Sequence, residues 1–292
     1  MTETAFCFKI AGDEVVGIIH TPDRPTTDTG LLIIVGGPQY RIGAHRQYVH
    51  LARHCAAAGI PVMRFDYRGI GDSTGHYPGF QQVTPDIHAA IDEFLNRCPA
   101  IRTVAVWGLC EGASACLLGT QEHQAVSRLI LVNPWVRSDS GEARAYVKHY
   151  YLARLKQPQF WNKLFSGKLD LGQAIRGFLS NLVRMFRPAP PLSGTPLQKP
   201  KTSATEKTTE DFPARMCEGL ARFSGRVLLI QSERDLVARE FDDLIRRSPS
   251  WRTLFKTRKI DRVDIAETDH TFSSEKWRQA AAETTSRWIL SE

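Results

Sequence analysis

Residues 102–112 read Arg-Thr-Val-Ala-Val-Trp-Gly-Leu-Cys-Glu-Gly. An apolar strand, Val104 to Trp107, runs into Gly108-Leu109-Cys110-Glu111-Gly112, and a small-residue helix follows through Ala113, Ser114, Ala115 and Cys116. A glycine two places before and two places after a reactive side chain, between a strand and a helix, is the pattern of a nucleophile elbow, with cysteine where serine usually sits. So sharp a turn leaves no room for side chains at the flanking positions, which accounts for Gly108 and Gly112. It also places Cys110 at a helix N-terminus, where the backbone partial charge favours a thiolate. The competing reading is a buried cysteine in a glycine-bounded turn.

Working outward, short apolar segments alternate with helical ones. Phe6–Ile10 and Val15–His20 read as two strands split by Gly12-Asp13, and Leu31–Val35 as a buried strand ending in Gly36-Gly37-Pro38. Gln47 to Ala58 has helical periodicity, stopped by Gly59-Ile60-Pro61; Val62–Tyr67 is the next strand, and Thr84-Pro85-Asp86 opens a helix. Leu129–Val132, Val227–Ile230 and Ile260–Ile265 complete the strands, and Trp277–Leu290 is a closing helix. Strands apolar on both faces and separated by helices imply an α/β fold with a mainly parallel sheet covered on both sides. Functional residues then belong at the carboxyl ends of strands.

The interval 137–211 breaks the alternation and reads as an inserted lid, leaving 1–136 and 212–292 as the core. It has helical pieces, Ala143–Leu155 and Ala174–Phe186, then a Pro/Ser/Thr/Lys-rich run from Arg187 to Glu210 read as a mobile loop. Ile175, Phe178, Leu179, Leu182, Val183 and Phe186 fall on one helical stripe. The net charge of +7 is concentrated here: residues 137–210 hold 13 Lys/Arg against 5 Asp/Glu. No nucleic-acid motif accompanies that charge, so nucleic-acid binding is not expected. The basic segment suits an anionic or lipid-linked acyl substrate, and peripheral contact with an anionic membrane stays open as a second reading.

Length and composition bound the rest. A chain of 292 residues, 42% apolar, buries a full core. Met1 to Ile10 has no basic flank before an apolar run, and no stretch approaches the about 18 apolar residues of a membrane span, so a cytoplasmic location is expected. The six cysteines form no C-x-x-C pair and no metal-ligand spacing, so neither metal nor other cofactor is expected. The oligomeric state is not legible.

An acyl-transfer nucleophile needs a base, and the base needs an orienting acid, in the chain order nucleophile, acid, histidine. Gln231-Ser232-Glu233-Arg234-Asp235 follows one late strand, and Glu267-Thr268-Asp269-His270 follows the last. Asp235 and His270 are the candidates; Glu233 and Asp269 are rivals for the acid. Of nine histidines only His270 is so placed, and His20, His45, His54, His88 and His123 read as surface or helix residues. The oxyanion donors are the backbone N–H of Glu111 and an N–H from the loop after Leu31–Val35. Pro38 has none to give, which leaves Gly37, with Gln39 as the fallback. The Glu111 side chain is expected only to favour the helix dipole. A thiolate is a strong nucleophile but also a good leaving group, so activated esters, lactones or thioesters suit it better than amides.

Arg64-Phe65-Asp66-Tyr67-Arg68-Gly69-Ile70-Gly71-Asp72-Ser73 resembles the D-x-R-G-x-G-x-S segment of α/β-hydrolases. That resemblance implies the α/β-hydrolase fold and an architectural role for Asp66, Arg68 and Asp72. With the elbow, Asp235 and His270 it covers residues 31–136 and 226–290. Gly36-Gly37-Pro38-Gln39-Tyr40-Arg41, His45-Arg46-Gln47, the Asp66 turn and Gly108-Leu109-Cys110 together resemble the exosortase A system-associated hydrolase 1 family. This implies a cysteine hydrolase linked to bacterial exopolysaccharide and surface-protein sorting systems, with no substrate specified. The cysteine elbow is also similar to that of dienelactone hydrolases and polyhydroxyalkanoate synthases, which differ in the lid and in size. An acyltransferase with a sugar or lipid acceptor would use the same three residues, and a non-catalytic partner protein would keep only the fold.

Overall fold

The computed structural model describes residues 1–37, 39–136 and 212–291. The lid read over 137–211 and its apolar stripe lie outside the described residues. Eight strands form one sheet: β1 (Thr2–Ile10), β2 (Asp13–Thr21), β3 (Thr29–Ile34), β4 (Val62–Phe65), β5 (Thr103–Leu109), β6 (Val126–Val132), β7 (Arg226–Ser232) and β8 (Asp261–Ile265). Their order is β1-β2-β4-β3-β5-β6-β7-β8. β1 and β2 pair antiparallel, β2 meets β4 antiparallel, and every remaining pair is parallel. This is the α/β-hydrolase fold.

Burial explains why the strands were legible. Successive side chains on a strand point to opposite faces, yet all of Leu31 to Ile34 is fully buried. Both faces of the sheet are therefore covered along β3, which favours consecutive apolar residues there. Among the described residues seven helices do much of the covering: α1 (Gln47–Ala57), α2 (Thr84–Arg97), α3 (Glu111–Gly119), α4 (Phe212–Arg222), α5 (Leu236–Arg247), α6 (Pro249–Thr257) and α7 (Glu275–Leu290). α1 packs against α7, and α3 packs against α2 and α4. The sequence reading lacked α4, α5 and α6.

His20 requires a correction. It is not a surface or helix residue but sits on β2, fully buried. Its Nε2 accepts a hydrogen bond of 2.9 Å from Nε of the equally buried Arg64. Burial, then the Arg64 charge, push the His20 pKa down to about 4, against the pull of Glu3. The neutral ring is thus the acceptor that a buried guanidinium needs.

Four parallel strands end at one rim. Gly36-Gly37 follows β3, Cys110 follows β5, Asp235 follows β7 and His270 follows β8. Chain segments up to 234 residues apart in sequence thereby meet at one edge, as open parallel sheets generally allow.

Candidate active site

The elbow is built from backbone geometry. Cys110 has φ 57° and ψ −123° and is the N-cap of α3. A non-glycine residue held there costs about 1–3 kcal/mol, which the surroundings must offset. Its N–H donates to the Val132 carbonyl at 2.9 Å, and its carbonyl accepts from Ser114 N at 3.2 Å and Trp135 N at 3.3 Å. A Cβ on Gly108 would lie 2.5 Å from the Gly112 carbonyl. That contact is the physical reason for the glycine spacing.

The acid and histidine loops are joined to each other. Arg234 N donates to Thr268 O at 3.0 Å and Glu233 N to Ile265 O at 3.2 Å. The two Asp235 carboxylate oxygens are divided between tasks. Oδ1 accepts from Val237 N at 3.0 Å, capping α5, and Oδ2 lies 2.6 Å from His270 Nδ1. Asp235 is 5% exposed. The Cys110 thiol is the second side chain that acts on His270; with Nδ1 turned to Asp235, Nε2 is the ring nitrogen left to face it. Burial disfavours the imidazolium, but the hydrogen bonds to Asp235 and Cys110 and the charges of both outweigh burial. The His270 pKa is pushed up to about 10.

Neither rival acid takes this position. Glu233 Oε2 accepts from Glu267 N at 2.8 Å, tying the two loops together. Asp269 Oδ1 accepts from Thr271 N at 3.1 Å and Ser273 N at 3.0 Å, which shapes the turn that carries His270. From α7, Arg278 donates to the carbonyls of Phe272 at 3.1 Å and Ser273 at 2.8 Å.

On the other side of Cys110 lies the loop after β3. A Cβ on Gly36 would fall 2.1 Å from Leu109 O and 3.3 Å from Glu111 N, so this loop lies directly on the elbow backbone. Gly37 follows with φ 63°. The Glu111 side chain does more than face the helix dipole. Its half-buried carboxyl turns to this loop, with Oε2 3.6 Å from where a Cβ on Gly37 would lie. Burial pushes the Glu111 pKa up, with the Gly37 contact opposing. Gln39 is engaged elsewhere through its side chain, whose Oε1 accepts from Ala44 N at 3.2 Å.

The serine aminopeptidase S33 family profile matches residues 30–176, just over half of the chain. The chain belongs to this family. The S33 match takes in Gly37, the Asp66 turn and Cys110, while Asp235 and His270 lie beyond it. The family description names serine, and this member carries cysteine at the elbow. An esterase from Pyrococcus furiosus superposes with a TM-score of 0.62 at 13% identity, covering 99% of this chain and 90% of its own. An alpha-beta serine hydrolase homologue from Coxiella burnetii gives 0.57 at 13% identity, with 99% and 98% covered. Dienelactone hydrolase from Anabaena variabilis gives 0.59 at 13% identity, with 99% and 97% covered. At these identities the likeness is one of fold. No curated protein sequence matches the chain.

Two further features of this S33-family chain carried no signal in the sequence reading. Asn133, just past β6, exchanges hydrogen bonds with Ser232 (Nδ2 to Oγ at 3.0 Å, Ser232 N to Oδ1 at 2.9 Å) and so pins the start of the acid loop. Arg41 grips the Asp66 turn. Both link segments far apart in sequence, and long-range polar pairs leave no periodic trace. Among the described residues no group of His, Cys, Asp and Glu could hold a metal ion, and no helix is long and apolar enough to cross a membrane.

Proposed function

We propose that the protein is a cysteine hydrolase of esters or thioesters, working through Cys110, His270 and Asp235. The observation that carries this reading is the position of the His270 ring, 2.6 Å from Asp235 on one side and with the Cys110 thiol as its other side-chain neighbour. His270 takes the thiol proton. Asp235 fixes the ring with Nδ1 toward itself and stabilises the imidazolium. The Cys110 sulfur attacks the carbonyl carbon, and the carbonyl electrons move to oxygen. The tetrahedral intermediate collapses as His270 protonates the leaving group, leaving an S-acyl thioester. His270 then accepts a proton from water, which attacks the thioester and returns the thiol.

The oxyanion is met by the N–H groups of Glu111 and Gly37, each worth roughly 10²–10³ in rate. Support for Gly37 is that its loop lies against the elbow, a Cβ on Gly36 falling 3.3 Å from Glu111 N and one on Gly37 3.6 Å from Glu111 Oε2. A sugar or lipid hydroxyl in place of water makes the same chemistry an acyl transfer, and the concentration of positive charge in 137–210 favours an anionic or lipid-linked acyl substrate. The resemblance to the exosortase-associated hydrolases supports a link to bacterial exopolysaccharide and surface-protein sorting systems. The test is an acyl-directed thiol probe followed by peptide mapping. Labelling should fall on Cys110, vanish in Cys110→Ala and slow strongly in His270→Ala. Equal labelling of Cys55 or Cys116 would refute it.

A further inference from the structure

The oxyanion loop is held at two points. Gly36 is pressed onto the elbow backbone, as described. Five residues later the chain is gripped by the Asp66 turn through the polar groups of Arg41. The Arg41 N–H donates to Asp66 Oδ1 at 2.6 Å. Its guanidinium donates through Nη1 to Asp66 Oδ2 and through Nη2 to Asp72 Oδ2, the latter at 2.5 Å. Its carbonyl accepts from Arg64 Nη1 at 2.6 Å. Asp72 N donates back to Asp66 Oδ2 at 3.2 Å, closing the cluster. Asp66 is fully buried and Arg64 is 2% exposed, so both ends of the grip are anchored in the core. Asp72 is largely exposed. A buried carboxylate without its cation is strongly unfavourable, so the cluster has one arrangement and the loop has one landing point.

Gly37 lies between these anchors in a left-handed conformation that glycine adopts without cost but does not itself enforce. Its direction must come from the ends of the loop. We infer that Arg41 is the positioning residue of the oxyanion loop: by fastening the loop to the Asp66 turn it sets where the Gly37 N–H meets the developing negative charge. This rests on the reading above that Gly37 is a donor. Arg41 touches no reacting atom and acts through Gly37. A misplacement near 1 Å costs roughly 10²-fold in rate, so loss of the grip is read in turnover well before the fold is lost.

The experiment compares two reactions of Cys110. Acylation by p-nitrophenyl acetate passes through an oxyanion, whereas alkylation by iodoacetamide displaces iodide and makes none. Arg41→Ala is expected to lower kcat for the ester by roughly 10–10²-fold with KM little changed, and to leave the alkylation rate as it is. Added guanidinium should restore part of the loss. Arg41→Lys keeps one charge but not the fork that spans two carboxylates, and should fall between. Asp72→Asn, at the exposed end, should cost several-fold and keeps the test open if Arg41→Ala does not fold. Unchanged ester kcat in these variants, or acylation and alkylation falling together, would overturn the inference. Ester turnover that survives Cys110→Ala would instead sink the underlying assignment of the nucleophile.

Discussion

Cys110 after β5 and the Gly37 loop after β3, the proposed nucleophile and oxyanion loop, lie side by side, yet they are held by different means. Cys110 is fixed by its own backbone: a strained φ, three main-chain hydrogen bonds and two glycines that let strand and helix touch. The loop that carries Gly37 touches the elbow backbone at Gly36, but its far end is fixed by charge, through Arg41, Asp66 and Asp72. The acid and histidine loops combine both, with main-chain bonds between them and the Asp235–His270 pair across them. Backbone fixation depends on a few glycines and resists change elsewhere. Fixation by charge depends on single side chains and on their protonation, and it can be loosened one contact at a time.

The largest effect expected from breaking this pattern is at Asp235. In Asp235→Asn, kcat/KM should fall by roughly 10²–10⁴, measured with an activated ester. The sign of the accompanying pH change follows from the raised His270 pKa. The imidazolium is held up to about pH 10, so its contribution to stability is complete below about pH 6.5 and is lost as pH rises through about 10. The alkaline limb of activity and the alkaline loss of thermal stability should both move down toward the ordinary histidine value of about 6.5 in the variant. An unshifted profile would break the claim that the Asp235 charge sustains the ring.

The Arg41 variants come next in size and separate charge-held from backbone-held parts of the same site. The smallest effect is at Glu111. Its carboxyl faces the Gly37 amide and its pKa is raised, so the ionised form costs stability above the unfolded pKa and repels an incoming oxyanion. Glu111→Gln should raise Tm at neutral pH and raise kcat a few-fold. The difference should vanish as pH falls through the parent carboxyl's pKa, where the parent becomes neutral too. A variant slower at every pH would show that the carboxyl assists the reaction.

How much of this was legible follows the same division. The sheet was readable because two-sided burial demands unbroken apolar runs, as in Leu31–Ile34. β6 was read short at its start because Ser127 and Arg128 there are only partly buried. Helices α5 and α6 bury few residues each, Val237, Ala238 and Phe241 in one and Trp251 in the other, so their apolar faces are narrow. α4 buries Phe212, Met216, Cys217 and Leu220, a helical spacing overshadowed by the Pro/Ser/Thr-rich run before it. The placing of Cys110, Asp235 and His270 at one rim was legible from their positions after strands. The direction of the Glu111 side chain, the burial of His20 and the grip of Arg41 were not, because each depends on which segments the topology makes neighbours.

The most direct measurement is a crystal structure of the protein with an aldehyde inhibitor bonded to Cys110 as a thiohemiacetal. The account predicts a bond from the Cys110 sulfur to the aldehyde carbon, with the new oxygen roughly 2.7–3.1 Å from the N–H nitrogens of both Glu111 and Gly37 and His270 between the sulfur and Asp235. An adduct at another cysteine, or an oxygen turned away from those two amides, would contradict it.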